Sequence, residues 1–172
     1  MQAFAGGITS AELREGVASA RFMPETRTDY RPAVCRFEDD LFAEFAAGHE
    51  ILTYPASVKL IGTLFAAVGR PAPTLQLVPG FDDPKIGGYA DVANHTIKIE
   101  DGYLYRFLIL HECAHILVPA DRKHGAAFTY VLQLLYRAFI GIPEATMRHY
   151  LERHGLPSLT ELPAVDPLPI AV

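Results

Sequence analysis

The segment from Tyr103 to Val118, reading YLYRFLILHECAHILV, is apolar on nearly every side of a helical projection. A helix with no polar face cannot lie on a surface, so the rest of the chain must enclose it. Pro119 follows at once and stops it. Yet this helix carries Arg106, His111, Glu112 and His115. Buried without partners, such groups would each cost a few kcal/mol. Either they meet partners brought in from elsewhere, or they hold something.

The spacing favours the second. On a helix, positions i and i+4 lie one above the other, so His111 and His115 can present ring nitrogens to one ion from a single rigid element. Glu112 points about 100° further round, beside the ion, where a general base belongs. A third ligand is available if "PADRK" turns the chain back after Pro119, which brings His124 to the start of the next helix. Three imidazoles suit borderline-soft zinc and leave one tetrahedral position open, the arrangement of a catalytic centre. The expected zinc ligands are therefore His111, His115 and His124, with Glu112 as the catalytic acid/base. An ion held this way clips two consecutive helices together.

The chain around this helix reads as α+β. Thr9 and Glu12 form a capping-box pattern opening a helix over about 10–20, expected to be a loosely attached extension covering residues 1–27. Phe37, Leu41, Phe42 and Phe45 recur at helical spacing and end near Gly48, and 55–68 reads as a helix closed by Gly69 and Pro71. Between Thr74 and Glu100 the period becomes two, in "TLQLVPG", "IGGYADV" and "HTIKIE", which predicts three strands of an antiparallel sheet. Helices over 125–139 and 143–153 follow. The tail 157–172 is rich in proline and poor in charge, and is expected to lie extended on the domain or to meet a protein partner.

With 172 residues, half of them apolar, the chain suits one domain with a sizeable core. A net charge of -5 argues against a nucleic-acid partner. Cys35 and Cys113 are too few and too far apart for a disulfide framework, which points to a reduced, cytoplasmic setting. No signal peptide or membrane span is visible. Cys113 should face away from the ion as a small buried residue. Gly87 and Gly88 suggest a bulge or close backbone approach, and Glu38-Asp39-Asp40 reads as a solvated helix face, with a second cation site as the weaker alternative.

His111-Glu112-Cys113-Ala114-His115 with His124-Gly125 and Phe128 resembles the zincin core of SprT-like metallopeptidases. More closely, it is similar to a small family of zinc metallohydrolases of actinobacteria and their phages. The order of "VCRFEDDLF", "ADVANHTIKIE", "LHECAHIL", "HGAAFTYVLQLLYRAF" and "ATMRHYLERHGL" extends the likeness over about 28–156. The resemblance implies a zincin-like α+β domain in that span, with a small sheet packed on the H-E-x-x-H helix. It implies zinc at His111, His115 and His124, Glu112 as acid/base, and hydrolysis of a peptide or protein substrate. The basic extension that directs SprT-type proteases to DNA has no counterpart here.

A hydrolase of this kind needs a donor for the developing oxyanion, and Tyr89, His95, Tyr130, Tyr136 and His149 are the candidates, with no basis in sequence for choosing. "NHTIKIE" is the expected sheet edge beside the site, where an extended peptide could add itself. The competing reading is a non-catalytic protein whose ion only stabilises the fold, docking through its proline-rich tail.

Overall fold

The computed structural model describes residues 4, 7–23, 29–83, 87–119 and 123–157. Among these are six α-helices and a three-stranded sheet, giving an α+β architecture. The elements are α1 (Ser10–Ala20), α2 (Arg31–Glu44), α3 (Tyr54–Ala67), β1 (Thr74–Val78), β2 (Gly88–Asp91), β3 (Thr96–Glu100), α4 (Arg106–Leu117), α5 (Ala126–Ile140) and α6 (Glu144–Arg153). A single turn of 3-10 helix, Ala46–His49, follows α2.

Local chemistry starts and stops these elements. In α1 the capping box is complete: the Glu12 amide donates to Thr9 Oγ1 at 3.2 Å, and the Thr9 amide donates to Glu12 Oε2 at 2.7 Å. Thr53 accepts from the Ala56 amide at the start of α3, with Pro55 in its first turn. At the end of α5, Gly141 adopts φ 85°, a left-handed cap that most side chains resist.

The N-terminal helix is not loosely attached. Leu13, Val17 and Ala20 are buried in the common core, and α1 packs on α5. A Cβ at Gly16 would come within 2.5 Å of Leu134 Cδ1, so glycine is what lets the two helices approach.

The sheet is mixed rather than antiparallel. Its order is β1-β3-β2, with β1 parallel to β3 from Thr74↔Thr96 to Val78↔Glu100, and β2 antiparallel to β3 from Gly88↔Ile99 to Asp91↔Thr96. The alternating pattern sets which residues face inward but not which strands pair. The link between β1 and β2 is far longer than the two-residue loop of a tight hairpin, so β2 pairs on the far side of β3. The 96–100 strand, expected at an edge, is the centre, where Ile97 and Ile99 are fully buried. The edge beside α4 belongs to β2.

Helix α4 lies between this sheet and α5, with α3 also against it. Ile109, Leu110, Cys113, Ala114 and Leu117 have no solvent exposure, as expected for an enclosed helix, and Cys113 is buried as anticipated. Among the described residues no helix is long and apolar enough to cross a membrane. The tail beyond Pro157, expected to lie extended on the domain or to meet a partner, lies outside the described residues.

Candidate metal centre

His111 and His115 project from the same side of α4, one turn apart, with ring centroids 5.1 Å apart. His124 reaches the same point from just before α5, and its ring lies 4.7 Å from that of His115. The backbone holds it there, since the Tyr30 amide donates to the His124 carbonyl at 3.2 Å. Phe128, one turn into α5, backs all three rings at 4.3–5.0 Å between centroids. One nitrogen from each histidine lies within 4.8 Å of the others.

This donor set fits zinc. His111 Nε2 and His124 Nε2 are 3.3 Å apart. Two nitrogens bonded at about 2.0–2.1 Å to a tetrahedral zinc stand about 3.3–3.4 Å apart, so the observed separation is the edge such a site requires. The tautomer of His111 also suits a ligand. Its Nδ1 is 2.8 Å from Glu38 Oε1, so Nδ1–H donates to the carboxylate, and in the neutral ring the inward-facing Nε2 carries the lone pair a ligand needs.

Glu38 is the residue that sequence reading missed. It is not part of a solvated face but is 7 % exposed, and it accepts from His111 and from the Tyr136 hydroxyl. The correction has a visible cause. Glu38 falls within the buried stripe Val34, Phe37, Leu41, Phe42 of α2, at the same helical spacing, so the periodicity that identified the apolar face also placed a carboxylate on it. Asp40, by contrast, does sit outside, bonded to His154 at 3.1 Å and paired with Arg153 at 3.4 Å.

Burial and charge separate the titrations of the three rings. Burial alone would lower the pKa of His111, but the charge and hydrogen bond of Glu38, with Glu112 nearby, outweigh it and raise the value to about 9. His115 is lowered to about 2, by burial and then by the positive charge on His111, and His124 to about 4 for the same reasons in the same order.

Glu112 is 5 % exposed and lies beside the triad rather than within it. Burial, reinforced by the charge of Glu38, pushes its carboxyl up to about 7, against the opposing pull of His111 and of a hydrogen bond from the Ala90 amide. Gly88 makes room for it: a Cβ there would lie 3.1 Å from Glu112 Oε1 and 3.2 Å from its Cγ. The glycine pair is thus a place of close backbone approach.

The triad and Glu112 open into a cleft of about 1170 Å³ that runs along β2. Of the five candidate oxyanion donors only Tyr89 lines it. Tyr136 is fully buried on Glu38, and His95 lies 3.1 Å from the Pro71 carbonyl. The Tyr130 hydroxyl faces α1 at Gly16, and His149 meets Tyr150 edge-on with ring centroids 5.4 Å apart. Comparison with known proteins finds no family model, no curated protein and no solved structure that matches the chain.

Proposed function

We propose that this chain is a zinc-dependent metallohydrolase with a zincin-like domain, hydrolysing peptide bonds, with His111, His115 and His124 as the zinc ligands and Glu112 as the general acid/base. The observation that carries the reading is the 3.3 Å approach of His111 Nε2 to His124 Nε2 within a three-histidine cluster beside a buried glutamate. When bound, zinc would polarise the substrate carbonyl and acidify the attacking water.

The chain's own groups supply the rest. Burial raises the proton affinity of the Glu112 carboxyl, which suits a group that takes a proton from water and returns it to a leaving amine. The Ala90 amide fixes the orientation of Glu112. The bond from the Glu100 amide to the Gly87 carbonyl sets the β2–β3 ladder so that the main-chain groups of Gly88 and Ala90 turn outward, to the cleft side. An extended peptide could pair there, which supports a peptide substrate. Among the described residues the cluster has three members and not four, which supports a catalytic centre over an ion that only braces the fold. Both cysteines are free, in keeping with a reducing, cytoplasmic setting, and we include that in the proposal.

The test is a proteome-derived peptide cleavage screen with the zinc-loaded chain and its Glu112→Gln variant. The variant should keep its metal and lose cleavage by about a hundredfold or more, because an amide accepts no proton. Equal cleavage by the two proteins would remove Glu112 from the chemistry.

A further inference from the structure

One flank of the cleft is aromatic. Going from the triad toward the N-terminus of α4, Phe107 lies one turn before His111 and Leu108 one turn before Glu112, and Tyr105 and Tyr103 continue the wall. His49 joins it from the 3-10 turn. The rings contact in sequence: Tyr103 to Tyr105 at 6.0 Å, Tyr105 to Phe107 at 5.9 Å, and His49 to Phe107 at 5.3 Å. Tyr103 is 46 % exposed, while Tyr105, Phe107 and Leu108 are half-buried. Contiguous apolar surface inside a concave site is what a ligand-binding wall presents.

The wall is also rigid. The Leu52 amide donates to the Leu104 carbonyl and the Arg106 amide to the Glu50 carbonyl, both at 2.9 Å, and the Arg106 guanidinium pairs with Glu50. At Gly87 a Cβ would stand 3.1 Å from Tyr103 Cδ1 and 3.3 Å from Leu108 Cδ2, so the strand backbone rests directly on the wall.

We propose that this wall selects the substrate, taking up a bulky apolar or aromatic side chain next to the bond to be cleaved. The inference rests on the hydrolase reading above and adds the substrate class. One helical turn is about 5.4 Å, and an extended peptide advances about 3.3 Å per residue. A carbonyl beside Glu112 therefore sets a side chain one or two residues away against Phe107, Leu108 and the two tyrosines. Charge works the same way. The cleft is lined by Asp29, Glu38, Asp39, Asp91 and Glu112 against Arg31 and Lys123, a balance that disfavours an acidic side chain or a phosphate.

Two hydroxamates separate this proposal from the one beneath it, used on the zinc-loaded full chain with binding read by calorimetry. Acetohydroxamate probes the metal alone, and 3-phenylpropanohydroxamate adds a phenyl group. The phenyl compound should bind about tenfold tighter or more. Tyr103→Ala, at an exposed position that a fold tolerates, and Leu108→Ala should each erase most of that gain while leaving acetohydroxamate within about twofold. Equal binding of the two compounds, or a phenyl preference that survives both substitutions, overturns the wall and leaves the metal site standing. Failure of both compounds to bind protein that carries its zinc overturns the catalytic cleft and the wall together.

Discussion

Glu38 does for His111 what no residue near it in sequence could do. Its Oε1 accepts from both His111 Nδ1 and the Tyr136 hydroxyl, so the carboxylate is fixed in place and the imidazole is fixed with it. For zinc bound as proposed, the same contact would set the proton balance of uptake. His115 and His124, with values of about 2 and about 4, are neutral at any pH where the protein would be studied, whereas His111 at about 9 carries a proton in chelator-stripped protein. Zinc must displace that proton. The sign is therefore fixed: apparent affinity rises as pH rises, by about tenfold per unit between roughly pH 7 and 9, and levels off above. Above pH 9, where no proton competes, Glu38→Gln should weaken zinc binding by about 10–100-fold, and its plateau should begin at lower pH, since the carboxylate that holds the proton is gone. Competition titrations against a chromophoric chelator over this range measure both. A flat profile for the unaltered protein would show that Glu38 does not control the ring.

At the scale of elements, the triad joins α4 to the residues just before α5, so an ion bound there would link two helices that already share core contacts. Binding that requires folded geometry stabilises the fold. Chelation should lower the melting temperature by about 5–10 °C, corresponding to roughly 3 kcal/mol for a chain of this size, without unfolding it at room temperature. Thermal melts with and without chelator, with metal removal verified, check this, and an unchanged transition would mean the histidines do not bridge the two helices. The pair His111 and His115 was legible because helical periodicity is local, and His124 because a proline stop forces a turn nearby. Glu38 was not, since nothing in the sequence near His111 marks which element will cross it, although its place on the α2 stripe was readable. Strand order failed for a related reason. Alternation in 96–100 marked Ile97 and Ile99 as inward, but the parallel partner Thr74–Val78 is chosen by packing that spans the chain.

For the molecule as a whole, the buried apolar helix that the sequence presents without a partner becomes the element around which everything else is arranged. The sheet covers one side, α5 the other, and α2 delivers Glu38. Of the polar residues that a fully enclosed helix should not contain, His111, Glu112 and His115 line the cleft where the enclosure opens, and Arg106 pairs with Glu50 at the start of the helix. On the reading proposed above, a metal is what this gathering of three imidazoles and a glutamate in a largely buried site would serve. Elemental analysis of purified protein, with zinc titration into a chelator-stripped sample, addresses this most directly. The account predicts about one zinc per chain, retained by Glu112→Gln and lost from His124→Ala at equal free zinc. A folded protein that carries no transition metal and takes none up on titration would contradict it.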